Sequence, residues 1–155
     1  MRLRYLLDTN ICIYIAKNRP DAVLKRFQQL SAGEVAMSVI THGELWYGAC
    51  KSRRREDAQE ALCELATMIP VLPISAQVGE RYGEIRSELE NSGRLIGNND
   101  LWIAAHALAL GVALVTNNAR EFARVPGLEV ENWVQRTDQS QVREAKRRYR
   151  TRRIG

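Results

Sequence analysis

Three acidic residues, Asp8, Glu44 and Asp100, stand where an α/β protein places the groups that carry out chemistry. Asp8 directly follows the apolar run 3–7, and Glu44 lies four residues past a second apolar run at 35–40. Asp100 lies in the first turn of a predicted helix. Because ligands bind outside the carboxyl ends of parallel strands, we expect these side chains to face one crevice. Carboxylates with ordinary pKa values of about 4 all ionise near pH 7 and repel one another, so the cluster is typical of a site for a hard divalent cation.

Metal-assisted hydrolysis is the chemistry that these acids predict. No Lys or Arg closely follows a strand at these points to neutralise the carboxylates, so we predict a Mg²⁺ site, with Mn²⁺ as the alternative ion. Mg²⁺ is usually held by one or two carboxylates together with waters and substrate phosphates. Such an ion activates a water as nucleophile and stabilises the leaving oxygen of a phosphodiester. The sequence offers no Ser/His/Asp or Cys/His arrangement at these positions and no glycine-rich nucleotide-binding motif.

Each of these polar residues also has a structural explanation when taken alone. Asp8 is a good helix cap, Asp100 would complement a helix dipole, and Glu44 could be a solvated helix residue. Asn117 and Asn118, which follow the apolar run 112–115, are common turn formers. Only the combination of positions favours a metal site.

The cysteines and histidines argue against a soft-metal site or a disulfide framework. Cys12, Cys50 and Cys63 are odd in number and form no CxxC pair, and only His42 and His106 could join them as ligands. We expect free, buried thiols and a packed core histidine at position 106.

The elements that must position the acids alternate between strand and helix. This alternation predicts an α/β fold with a mostly parallel sheet. A long amphipathic helix is predicted at 76–91, and a helix that is apolar nearly all round is predicted to start at the cap Asn98-Asn99 and to end at Gly111. The strands are predicted at 3–7, 35–40, 70–73, 112–115 and 128–133.

Size and composition are those of one globular domain. The chain has 155 residues, of which 45% are hydrophobic and 26% charged, and no apolar run approaches the roughly 18–20 residues that cross a bilayer. Asp8 interrupts any signal-peptide core at the start of the chain. We therefore expect a cytoplasmic protein with no membrane association.

The positive charge lies at one end of the chain. Residues 134–155 contain eight basic and two acidic side chains, whereas residues 1–133 contain 15 basic and 16 acidic ones. We predict a domain at 1–133 followed by a basic C-terminal extension at 134–155. Such a run can neutralise phosphates, although a solvated tail without a partner is the alternative.

Four blocks of sequence, in order along residues 1–133, carry a family resemblance. They are LLDTNICIYI at 6–15, SVITHGELWYGACKS at 38–52, IGNNDLWIAAHALALGVALVTNNAREF at 96–122 and VPGLEVENW at 125–133. In these blocks the chain resembles the PIN-domain ribonuclease toxins of the VapC type, from toxin–antitoxin pairs. The resemblance implies a three-layer α/β/α fold, a Mg²⁺- or Mn²⁺-dependent endoribonuclease, a homodimer and a small cognate antitoxin as partner. It makes transfer RNA the leading substrate class.

The resemblance also assigns roles to individual residues. Asp8, Asp100 and Glu44 match the family's metal-binding acids, and Glu121 matches a further catalytic acid after the third strong strand. Supporting positions beside the metal centre are assigned to Thr9, Thr116, Asn117 and Asn118.

Two departures from the family pattern bear on function. Many PIN domains carry a fourth aspartate where this chain has Asn117 and Asn118, so a second metal would be held more weakly unless Glu121 compensates. The basic extension after Trp133 is the other departure. The alternative function is therefore a non-catalytic RNA-binding module with a degenerate acidic site, whereas a phosphoacceptor signalling domain fits poorly because no lysine follows a late strand.

Overall fold

The protein was analysed as a computed structural model that describes residues 2–134. Five short strands alternate with seven helices over this range. The strands are β1 Tyr5–Leu7, β2 Val35–Ser38, β3 Val71–Leu72, β4 Ala113–Val115 and β5 Val130–Glu131. The helices are α1 Thr9–Ala16, α2 Asp21–Gln28, α3 Val39–Lys51, α4 Arg55–Met68, α5 Ala76–Asn91, α6 Asn98–Leu110 and α7 Ala119–Phe122.

The strands form one parallel sheet in the order β3-β2-β1-β4-β5. From β1 the chain runs outward through β2 to β3, then returns to place β4 on the other side of β1. The strand order thus reverses between β1 and β4, and the carboxyl ends at such a reversal form a crevice. The prediction of an α/β fold with a mostly parallel sheet is confirmed.

Two apolar clusters pack against opposite faces of the sheet. Neighbouring residues of β1 alternate between them, because successive strand side chains point to opposite faces: Leu7 joins the cluster with α1, α2 and α4, whereas Leu6 joins the cluster with α5, α6 and α7. Residues of β1, β2 and β4 are buried throughout. The result is a three-layer α/β/α arrangement with the sheet in the middle.

Two predicted boundaries differ from the structure at the helix starts nearest the crevice. The strand predicted at 35–40 ends at Ser38, whose hydroxyl accepts a hydrogen bond from the Ile40 amide and caps α3. Helix α6 begins at Asn98 with Gly97 as its cap residue, so Asn98 and Asn99 lie inside the first turn. Neither asparagine caps the helix, and the Asn98 side chain instead accepts a hydrogen bond from the Tyr82 hydroxyl.

The helix predicted to be buried, α6, lies against the sheet with most of its residues inaccessible. His106 is 1% exposed and its Nδ1 lies 2.9 Å from the Ser38 hydroxyl, as expected for a core histidine. Gly111 ends the helix in the left-handed conformation, with a φ of 68° that glycine adopts without strain.

The expectation that all three thiols are buried is wrong. Cys12 is buried, Cys50 is half-buried and Cys63 is exposed on α4, because the helix turns that residue away from its single apolar stripe. No helix within residues 2–134 is long and apolar enough to span a membrane. The basic extension lies outside the described residues, apart from Val134, which packs against the cluster containing α1.

Candidate active site

Asp8 lies at the centre of the crevice, at the carboxyl end of β1. Its Oδ1 accepts a hydrogen bond of 2.7 Å from the Thr9 amide, and its Oδ2 accepts one of 2.7 Å from the Thr116 hydroxyl at the end of β4. The residue is 6% exposed. Asp8 therefore caps α1 and also presents a fixed carboxylate to the crevice, so the structural and functional interpretations of this residue are compatible.

Glu44 approaches the same point from α3. Its Oε2 accepts a hydrogen bond of 3.2 Å from the Thr9 hydroxyl, and the nearby Asn99 side chain, like Thr9, lowers the pKa of Glu44 against the larger effect of burial. Its Oε1 is buried and has no hydrogen-bond partner among residues 2–134. An unsatisfied buried carboxylate oxygen is costly unless a cation or a donor approaches it, so this atom points to a positively charged ligand.

Asp100 is the acid whose ionised form the protein stabilises least. It lies half-buried in the first turn of α6, and its carboxylate accepts no hydrogen bond within the described chain. Burial, followed by repulsion from Asp8, Glu121 and Glu44, raises the pKa of Asp100 to about 6. A bound divalent cation would remove this penalty by neutralising the group.

The raised pKa values show that the acids act on one another. Burial is the largest cause of the raised pKa of both Asp8 and Glu44. Repulsion from Glu121 further raises the pKa of Asp8, and repulsion from Asp8 further raises the pKa of Glu44. All four predicted acids are thus within electrostatic reach of the same crevice. The acids do not, however, converge closely. Within residues 2–134, no three Asp, Glu, His or Cys side chains are grouped tightly enough to hold an ion as they stand. The carboxylates of Asp8 and Glu44 are instead hydrogen-bonded to hydroxyl and amide groups.

Glu121 and the two asparagines form the outer rim of the crevice. Glu121 accepts hydrogen bonds from the Gly97 amide at 3.5 Å and from the Asn118 side chain. Asn117 accepts a hydrogen bond from Asn10 at 3.1 Å and donates one to the Tyr14 hydroxyl at 3.0 Å. Both polar atoms of the Asn117 amide are therefore engaged with the protein, and the Asn118 side chain is tied to Glu121 through its NH₂ group, which leaves fewer free oxygen ligands at the rim.

Sequence reasoning missed three polar residues of the site. Asn99 lies near Glu44 and lowers its pKa, and Asn10 and Tyr14 are hydrogen-bonded to Asn117. Asn99 carries a signal, because it precedes Asp100 at the start of the same helix. Tyr14 gives none, since it lies in an apolar helical stretch where an aromatic residue normally indicates core.

Comparison with known proteins decides the family. The PIN domain sequence model matches residues 5–128. The chain belongs to the PIN-domain family. Within this family it resembles the VapC type. It is 46% identical over 132 residues to Ribonuclease VapC2 of Haemophilus influenzae, a match that covers 85% of this chain and 99% of that protein.

Two further comparisons agree with this assignment. The PIN domain is 44% identical over 131 residues to the tRNA(fMet)-specific endonuclease VapC of Shigella flexneri, covering 84% of this chain and 98% of that one. Among solved structures, a chain of VapBC2 from Rickettsia felis, bound to a DNA fragment from their promoter, superposes with a TM-score of 0.79 at 42% identity. That match covers 86% of this chain and 99% of the other. The family and the three-layer fold predicted for this VapC-type PIN domain are confirmed.

The raised pKa of Asp100 makes the stability of this PIN domain depend on pH. In the unfolded chain Asp100 ionises near its ordinary value of 3.8, whereas in the folded protein it ionises near 6. The folded state therefore loses stability as pH rises between these values, and the full cost persists above pH 6. In EDTA, we expect Asp100→Asn to raise the Tm by an amount on the order of a few degrees at pH 7.5 and to have little effect at pH 4. Thermal melts of both proteins at the two pH values would show it, and an equal change at both would contradict it.

Proposed function

We propose that this PIN domain is a divalent-metal-dependent endoribonuclease and the toxin of a type II toxin–antitoxin pair. The observation that carries the proposal is the crevice itself, where Asp8, Glu44 and Asp100 come from three different elements and repel one another around a half-buried centre. A set of oxygen donors with raised pKa values and an unsatisfied buried oxygen fits Mg²⁺ or Mn²⁺. The nuclease names of the relatives support hydrolysis of RNA.

Asp8, Glu44 and Asp100 would hold the metal, and binding would draw their carboxylates closer together than in the arrangement described above, since Asp100 is fixed by no hydrogen bond among the described residues. When bound, Mg²⁺ or Mn²⁺ supplies an activated water and neutralises charge on the phosphodiester. Asp8 is oriented by the Thr9 amide and the Thr116 hydroxyl, which leaves little rotational freedom to its carboxylate. Thr9 also donates a hydrogen bond to Glu44, so one residue orients two acids, Asp8 at the end of β1 and Glu44 on α3.

Glu121 and Asp100 have different roles at the crevice. Asp100 has no hydrogen bond among the described residues, so it is the carboxylate most able to reorient toward a ligand. Glu121 is held at the rim by the Gly97 amide, where it adds negative charge to the crevice. We assign to Glu121 the part that a further aspartate plays in many PIN domains, with Asn117 and Asn118 as supporting residues.

The substrate and partner also belong to the proposal. The Shigella flexneri relative is named for its action on tRNA(fMet), so transfer RNA is the leading substrate class for this chain. The Rickettsia felis structure is of VapBC2, which supports a cognate antitoxin as partner. We further propose a homodimer, residues 1–133 as the nuclease domain and residues 134–155 as an RNA-binding extension.

The engaged amides of Asn117 and Asn118 favour one alternative, a non-catalytic RNA-binding module. Cleavage of a total RNA pool separates the two functions. We expect discrete fragments with Mg²⁺ or Mn²⁺ and none with EDTA, and mapping of the fragment ends would identify the RNA that is cut. Folded protein that binds RNA without metal-dependent cleavage would reject the enzyme in favour of the binding module.

A further inference from the structure

An open cavity lies between the end of α1 and the start of α2, outside the acidic crevice. Its volume is about 330 Å³, within the roughly 300–1,000 Å³ of small-ligand pockets. The half-buried Ile13 and Tyr14 and the exposed Pro20 supply apolar and aromatic lining. Lys17 and Arg19 supply two positive charges. The cavity therefore combines a surface suited to a planar ring with groups suited to an anion.

The cavity is joined to the crevice through Tyr14. The Tyr14 hydroxyl accepts a hydrogen bond from Asn117 at 3.0 Å, and Asn117 directly follows Thr116, whose hydroxyl bonds to Asp8 at 2.7 Å. Asp8 and Tyr14 are six residues apart along α1, a rise of about 9 Å. A strand with one phosphate at Asp8 would thus bring a neighbouring nucleotide to the cavity.

The two cations of the cavity are available to a ligand. Within residues 2–134, neither Lys17 nor Arg19 has an ion pair or a side-chain hydrogen bond, and both are exposed. Arg26, on α2, differs because it bonds to Tyr5 and lies 3.9 Å from Glu131. The acidic crevice repels phosphates, whereas Lys17 and Arg19 attract them. These two cations would therefore hold the phosphates of an RNA strand whose next phosphate lies at the acidic crevice.

We propose that this cavity binds one nucleotide of the RNA strand next to the scissile phosphodiester, with its base on Tyr14 and its phosphates on Lys17 and Arg19. The inference rests on the ribonuclease function proposed above. Val134, the last described residue, packs against the same apolar cluster as Ile13 and Tyr14. The described chain thus ends on the face of the sheet that carries the cavity, and the positive charge of Lys17, Arg19 and the sequence beyond Val134 favours a nucleic acid over a protein segment as the occupant.

Binding of a labelled mixed-sequence single-stranded RNA tests the cavity without cleavage. The assay uses the full chain carrying Asp100→Asn, in EDTA, over a range of salt concentrations. The variants added to it are Lys17→Gln/Arg19→Gln, Tyr14→Leu, Tyr14→Phe and the charge-matched control Arg53→Gln/Arg54→Gln. The controls Arg53 and Arg54 are exposed, and their side chains take part in no ion pair of the described chain. The same substitutions in the otherwise wild-type protein are compared by KM and kcat with Mg²⁺.

The Lys17/Arg19 pair should lower the slope of log affinity against log salt by about 1.4, because each phosphate contact with a single strand contributes about 0.7. Tyr14→Leu should weaken binding roughly 5- to 150-fold, the range that loss of base stacking produces, whereas Tyr14→Phe should retain most of the affinity. For the Lys17/Arg19 pair, which has no hydrogen bond to the acidic crevice among the described residues, KM should rise while kcat changes little. The Arg53/Arg54 control should match the parent protein.

Two results would overturn the subsite. One is cleavage-competent protein whose cavity variants bind RNA with the parent affinity and salt slope. The other is that the cavity variants lose binding to a cognate antitoxin but not to RNA, which would assign the cavity to a protein partner. Cavity-dependent RNA binding by a protein that never cleaves would support the subsite and reject the proposed catalysis, so the two failures are distinguishable.

Discussion

Asp100→Asn is expected to abolish RNA cleavage in a protein that folds as well as its parent or better. Substitution removes a carboxylate that accepts no hydrogen bond in the described chain and whose pKa is raised to about 6 by burial and by neighbouring acids. Loss of several kcal/mol of transition-state stabilisation corresponds to a rate reduction of about 10³ or more. Cleavage of total RNA with Mg²⁺, measured beside the Tm of the same preparation, tests both parts. A gain in stability with a loss of activity marks a functional acid.

Two further variants give this experiment its controls. Asp57→Asn makes the same chemical change at an exposed position of α4 and should cleave normally. Asp8→Asn should also be inactive, and it is preferable to Ala because Asn still caps α1 and still offers a partner to Thr116. If Asp100→Asn retains cleavage, or if it unfolds while Asp57→Asn does not, the assignment of Asp100 to the metal centre is wrong.

Removal of the basic extension is expected to weaken RNA binding by a factor that depends steeply on salt. The eight basic residues of 134–155 all lie beyond Val134, which itself packs against the domain, so truncation should follow that residue. If every basic side chain neutralised one phosphate, the salt slope would fall by about 5 to 6, and partial engagement would lower it less. The PIN match ends at residue 128, and about 15% of this chain has no counterpart in the Haemophilus influenzae relative. The rate of cleavage at saturating RNA should be unchanged, because all four acids remain.

A scrambled extension separates charge from sequence. Reordering residues 135–155 preserves the charge and should preserve most of the salt slope, whereas replacing the basic residues by Gln should reproduce the truncation. Filter binding of RNA between 50 and 200 mM salt is the measurement, a range over which several phosphate contacts change affinity by orders of magnitude. A slope that does not change on truncation would leave the extension without a role in RNA binding.

Local patterns were sufficient to predict the fold class and to propose candidate acids at the carboxyl ends of its strands. Burial on both sides of a parallel sheet requires short continuous apolar runs, so 3–7 and 112–115 predict strands without any knowledge of their neighbours. A strand that ends in Asp8 places that carboxylate at the rim of any parallel sheet that contains it. The errors fell where a local rule has competitors: Ser38 ends β2 early by capping α3, and Cys63 is turned to solvent by the orientation of α4.

The partners of those acids depend on contacts that no local pattern describes. Thr116 lies 108 positions from Asp8, Thr9 lies 35 from Glu44, and Asn117 lies 103 from Tyr14. These groups meet because β4 pairs with β1 and because α3 packs against both α1 and α6. Hydrophobic periodicity reports which face of an element is buried, since that depends on neighbours along the chain. Tertiary structure decides the rest, because packing on both faces of one sheet brings distant elements together. It determines which hydroxyl orients Asp8 and which oxygen of Glu44 is left without a donor. It also determines that Asp100 is the acid whose pKa is raised to about 6.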